Sequence, residues 1–280
     1  FYEINFLENE KQKEIFKDDL SVDNIIKEIS LRIPTFKVDD GKTLLFLDEI
    51  QECPQAITAL KFLAQDKRFD CIASGSMLGM AYKRTSSFPV GYIDRIYMNS
   101  LDFEEFLWAK GVTDETINYI KEFYDNKKQV NMFAHNGMLE LFREYIVLGG
   151  MPEVINEFLA SNNFNVALNI QKEILDGYRD DIIKYAPEDE KVKIRACFDS
   201  IPVQLAKDNK KFRYNLVQKK ADKSKLFNSL EWLYDAGIIN FCYNLRNPEA
   251  PFEGNKIIDS FKVYMKDTGL LMAMMDEGSQ

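Results

Sequence analysis

Histidine is almost absent from this 280-residue sequence: His135 is the one instance, and the four cysteines, Cys53, Cys71, Cys197 and Cys242, stand far apart with no Cys-x-x-Cys pair. That scarcity argues against a zinc site, which needs four closely spaced nitrogen or sulfur ligands, and against histidine-based nucleophilic catalysis. Scattered, unpaired cysteines suit a reducing compartment, so the chain reads as cytoplasmic. No apolar run approaches the roughly 18 residues of a membrane span, which argues against a membrane partner. The opening FYEINFLENE has neither a basic nor an apolar stretch and does not read as a signal peptide. It starts without Met, inside a strand-like pattern, so the expectation is that a segment of a longer protein precedes it. Internal repeats and low-complexity tracts are missing as well.

Net positive charge is confined to one place. The net charge is −9. Lys191 to Lys225 carries eleven Lys and Arg against three Asp, a local +8, which leaves −17 for everything else.

What is present is a regular alternation of elements. YEINF alternates like a short strand, and Val22, Ile25, Ile26, Ile29 and Ile33 recur at helical spacing before Pro34. TLLFLDEI is an uninterrupted apolar run, expected as a parallel strand covered on both faces. Pro54 opens a helix to about Ala64, FDCIASGS is the next strand, and RIYMNSLDF is expected as a third core strand. This order predicts an α/β fold with a parallel sheet. From Asn131 the pattern turns helical, broken at YIVLGGMPEV, and residues after Arg195 read helix, helix, strand, turn, strand, the layout of a winged helix. Trp108 and Trp232 sit among apolar neighbours and are expected in the core.

The stretch GKTLLFLDEIQ, Gly41–Gln51, invites two readings. An apolar strand ending in Asp-Glu is how P-loop NTPases deliver an acid to the nucleotide: Asp48 would orient Mg²⁺ through water, and Glu49 would orient the attacking water or accept its proton. Equally, the two acids could meet solvent or cap the helix that follows. In the neighbouring strand, Ser74 or Ser76 offers the hydroxyl of a γ-phosphate sensor, unless small residues there only serve a turn. GKT is a decoy. A phosphate loop needs GxxxxGK[ST] between a strand and a helix, whereas Phe36 stands five residues before Gly41 and a strand follows Thr43.

LLFLDEIQECP, ASGSMLGM and MNSLDFEEFL in this order resemble a family of prokaryotic AAA-like P-loop ATPases with a trailing domain of unknown function (domain of unknown function 4143). YIVLGGMPEV, RDDIIKYA, LEWLYDAGII and FKVYMKDTGLL are similar to that trailing domain, so the resemblance covers nearly the whole chain. It implies ATP and Mg²⁺ as cofactors, hydrolysis in an intact protein, Glu49 and Ser74 as catalytic residues, Asp48 as the metal residue, and Ser76 and Arg95 at the nucleotide. Where relatives carry Gly-Arg this chain has Gly91-Tyr92, leaving Arg95 or Arg84 for an arginine finger. It also implies truncation at both ends: the first strand and phosphate loop before Phe1, and a nuclease-like region after DTGLL. The expected domains are 1–130, an ATPase core without its phosphate loop; 131–185, a helical linker or lid; and 186–280, a winged-helix-like part. The resemblance admits a homo-oligomer.

The basic segment suits DNA, through Lys207, Lys210, Lys211, Arg213, Lys219 and Lys220. The same lysines also suit solvated helix faces, with Phe212, Tyr214 and Phe227 as core. Two functions stay open on the sequence: an ATPase whose nucleotide state is passed to a winged-helix-like region, and a nucleic-acid-binding regulator that uses the ATPase-like fold as a scaffold.

Overall fold

Strand β2, Thr43–Asp48, is the middle of a three-stranded parallel sheet, with β1, Tyr2–Asn5, on one side and β3, Phe69–Ala73, on the other. The register pairs Asn5 with Asp48 and Ala73 with Leu47, so all three strands end on one rim. The computed structural model describes residues 1–39, 41–75 and 91–278, and its contacts divide the chain into two units, Phe1–Tyr97 and Met98–Gln280.

In the first unit, helices α1, Val22–Arg32, and α2, Pro54–Gln65, form where apolar residues repeat at helical spacing. Pro54 sits in the first turn of α2, where its missing N–H costs nothing. Ile25 and Ile29 of α1 and Ala56, Ile57, Leu60 and Leu63 of α2 share one core with Ile4, Leu45 and Leu47. Each fully buried leucine contributes roughly 1.5–3 kcal/mol. The expectation that β2 is covered on both faces fails: Leu44 and Phe46 are half-buried, and Ile72 of β3 is exposed. The structure also corrects the expected strand at RIYMNSLDF. No strand forms between Arg95 and Leu101, and Ile96 and Met98 are 86% and 92% exposed. β-forming residues become a strand only where a neighbouring strand takes up their backbone groups.

The second unit is mostly helical: α3 Phe103–Ala109, α4 Asp114–Asp125, α5 Met132–Leu148, α6 Pro152–Ser161, α7 Phe164–Tyr185, α8 Lys191–Leu205, α9 Tyr214–Val217 and α10 Lys223–Asp235. Strand β4, Ile239–Leu245, then pairs antiparallel with β5, Lys256–Met265, the short helix α11, Phe252–Asn255, lying between them, and α12, Thr268–Glu277, follows. SLDFEEF is a helix start: Asp102 accepts from the Glu105 N–H and Glu105 from the Asp102 N–H, a reciprocal capping box. Trp108, expected in the core, is 49% exposed, its indole N–H donating to Asp114; Trp232 is buried.

The Gly149-Gly150 break is locked in place. Asp267, 3% exposed, accepts from the Gly150 N–H at 2.7 Å and the Leu270 N–H at 3.0 Å. A Cβ at Gly150 would stand 2.0 Å from the Leu101 carbonyl oxygen, so only glycine fits. Buried Gln171 donates to the Val147 and Leu148 carbonyls, satisfying the end of α5.

Candidate functional site

Parallel strands put their C-terminal ends on the side where open α/β sheets hold ligands. At this rim the Asp48 carboxylate takes two side-chain donors. Asn5 Nδ2 donates to Oδ2 at 2.8 Å, and the Ser74 hydroxyl donates to Oδ1. Asn5 is itself fixed, because its Oδ1 accepts from the Leu7 and Glu8 N–H groups at 2.9 and 2.8 Å. Ser74 is held by its backbone, its N–H donating to the Leu47 carbonyl at 2.9 Å and its carbonyl accepting from Ile50 at 3.0 Å. Three strands thus converge on one half-buried carboxylate.

Glu49 follows at a left-handed backbone conformation, φ 52° and ψ 44°. The kink turns the chain from β2 into a short 3₁₀ turn, Ile50–Glu52, and drops Ile50 into the core before α2 begins. A non-glycine residue there costs on the order of 1 kcal/mol. The Glu49 carboxylate accepts from the Gln51 side-chain amide, and Gln51 Oε1 is buried without a partner.

The donor set is hard oxygen: two adjacent half-buried carboxylates and a hydroxyl. Among the described residues no group of three or more metal-ligating side chains forms. One or two carboxylates at a strand end fit Mg²⁺, which keeps most of its water, better than a cation that needs a protein cage. Asp48 would be the residue to hold it, through water.

The structure therefore brings Asp48, Glu49 and Ser74 to one rim. Ser76 and Arg84 lie outside the described residues. Arg95 is exposed, in the irregular stretch after the Gly91 turn and off the three strands. Gly41 is a turn, φ 69°, leading directly into β2. Sequence reasoning missed Asn5 and Gln51. Asn5 had a signal: a polar residue closing an apolar strand that runs parallel to LLFLD ends opposite its acid.

Comparison with known proteins adds the following. Residues 1–107 match the AAA domain, and residues 139–280 match a domain of unknown function, DUF8612. The latter corrects the expected trailing domain 4143. The chain is similar to the solved structure of a Walker-type ATPase of Pyrococcus abyssi, at 15% identity over 97% of this chain and 71% of that one, with a TM-score of 0.49. No curated protein matches it. Among the described residues no helix is long and apolar enough to cross a membrane.

Proposed function

From a chain that belongs to the DUF8612 family and opens with an AAA-type match, we propose an ATP-binding protein of the ATPase kind, in which residues 1–107 supply the acid-and-hydroxyl half of the nucleotide site. One observation carries this reading: Asp48 holds the Ser74 hydroxyl and the Asn5 amide together at the C-terminal rim of three adjacent parallel strands. Asp48 orients the water shell of a bound Mg²⁺, and Asn5 keeps its carboxylate aligned. Mg²⁺, when bound, offsets the charge on the β- and γ-phosphates. Glu49, one residue on and already carrying an amide donor on one oxygen, keeps its other oxygen to orient the attacking water or take its proton. Ser74 exchanges its bond to Asp48 for one to the γ-phosphate and so reports which nucleotide is present. GxxxxGK[ST] occurs nowhere in the 280 residues.

The second half supplies what the nucleotide state would act on. Helices α8, α9 and α10 with the β4–β5 hairpin follow the order of a winged helix, and the Phe212 N–H donates to the Phe261 carbonyl at 2.9 Å, adding a strand-like contact to the hairpin.

The test is phosphate release and ATP binding by the full-length protein. Glu49→Gln is expected to lower turnover by about 100-fold or more while ATP still binds, and Ser74→Ala to lower it less. Wild-type turnover by the Glu49→Gln protein would overturn the assignment.

A further inference from the structure

Ten of the eleven cations of the basic segment fall into two groups, and the eleventh, Lys225, donates to a backbone carbonyl. Lys191, Lys193, Arg195 and Lys223 pair with Glu188, Glu190, Asp199 and Asp259. The other group is Lys207, Lys210, Lys211, Arg213, Lys219 and Lys220; all six are exposed. Among the described residues no carboxylate lies within ion-pair distance of any of them, although Asp259, paired with Lys223, also feels the charge of Lys211. A solvated helix face would mix the two groups along its length. Here the paired cations stand on α8 and the first turn of α10, and the others stand in the two connections that join α8 to α9 and α9 to α10.

Both connections are built rather than loose. Gln204 of α8, 2% exposed, closes the first: its Nε2 donates to the Arg213 carbonyl at 2.9 Å, and its Oε1 accepts from the Arg213 N–H at 3.0 Å. With the Phe212–Phe261 bond, this fixes the end of the loop that carries Lys207, Lys210 and Lys211. The second is a turn closed by the Ala221 N–H on the Gln218 carbonyl, with Lys219 and Lys220 at its apex. Lys220 has φ 61°, a left-handed position that glycine or asparagine takes at less cost. Lys225 Nζ, donating to the Lys220 carbonyl at 3.2 Å, ties that apex to α10.

We propose that this face binds the phosphate backbone of double-stranded DNA, largely without regard to sequence. Exposed cations carried on two connections whose backbone is pinned suit a surface whose negative charges are regularly spaced and rigid. A lipid surface would call for a cluster of large apolar residues beside the lysines to enter it; residues 206–211 and 218–222, AKDNKK and QKKAD, have none. The flanking exposed ones are Val203 and Leu216, so the vesicle arm of the experiment separates the two surfaces. The −17 carried elsewhere in the chain repels DNA and confines contact to this face. The inference stands apart from the nucleotide site.

The experiment is fluorescence anisotropy of the full chain against a labelled DNA duplex over a salt series. Six neutralised phosphates give a slope of log affinity on log salt near −5, and an affinity loss of roughly 1,000-fold between 50 and 200 mM salt. Lys219→Ala with Lys220→Ala is expected to flatten the slope by about 2. Lys191→Ala with Lys193→Ala, which removes the same charge from paired positions, is expected to change it far less. Lys220→Gly keeps or raises the melting temperature while weakening binding, a split that a purely structural lysine does not produce. Equal losses in the two double variants, no binding at 50 mM salt, or tighter binding to phosphatidylserine vesicles or an RNA duplex than to DNA would each overturn the proposal.

Discussion

Two aspartates, one in each unit, each accept two hydrogen bonds, and they are used in opposite ways. Asp267 is buried and takes both bonds from backbone N–H groups, Gly150 and Leu270. Asp48 is half-buried and takes both from side chains, Asn5 and Ser74. Backbone donors cannot leave without unfolding the turn that carries them, whereas a hydroxyl and an amide can rotate onto a new partner. A carboxylate's donors, more than its burial, thus separate a structural acid from one available for chemistry.

The largest break in this comparison comes from removing each acid. Asp267→Ala leaves two buried N–H groups without acceptors and is expected to destabilise the second unit by about 3 kcal/mol or more in urea unfolding. Gly150→Ala, which meets the Leu101 carbonyl, should do comparable harm. Asp48→Asn should cost less than about 1 kcal/mol, because an amide at a half-exposed rim still accepts one of the two bonds. A loss at Asp48 as large as that at Asp267 would erase the distinction.

A smaller effect sharpens the buried side. Burial, then the charges of Asp267 and Asp181, push the Tyr178 hydroxyl up to about 12 from its ordinary 10. A group whose folded value lies above its unfolded one supports the fold fully below pH 10 and loses that support as the pH climbs towards 12. Unfolding midpoints should therefore fall across that window, and Tyr178→Phe should flatten the fall. The same slope in the variant would show that Tyr178 is not its source.

The smallest expected effect lies at the rim. Glu49→Gly relieves the left-handed backbone at the end of β2 and should stabilise the first unit by about 0.5–1 kcal/mol, seen as a higher urea midpoint. Destabilisation instead would mean that the Gln51 bond outweighs the strain.

Much of this arrangement was legible. TLLFLD is apolar for long enough, and bounded sharply enough by Gly41 and Pro54, to be read as a strand handing its last residue to the rim, and FDCIAS repeats the pattern at one helix's remove. What could not be read depends on neighbours. RIYMNS has strand-forming residues and no strand, because propensity does not supply a pairing partner. Trp108 is apolar by type, yet its N–H bonds to Asp114 at the surface. Asn5 and Gln204 act through partners 43 and 9 residues along the same chain, which a local pattern does not contain. The SLDFEEF segment carried family resemblance, and what it does in the fold is cap a helix.

Gln204 has one further implication. Its side chain copies a peptide unit, giving and taking with a single backbone position, so the polypeptide from Leu205 to Arg213 is pinned at its far end. Within the loop one side chain also shapes the path: Asn209 Oδ1 accepts from the Lys211 N–H at 3.0 Å. Substitution of Lys207 or Lys210 can therefore rewrite the electrical character of this face while its shape stays put, and positions 204 and 209 are where such freedom ends.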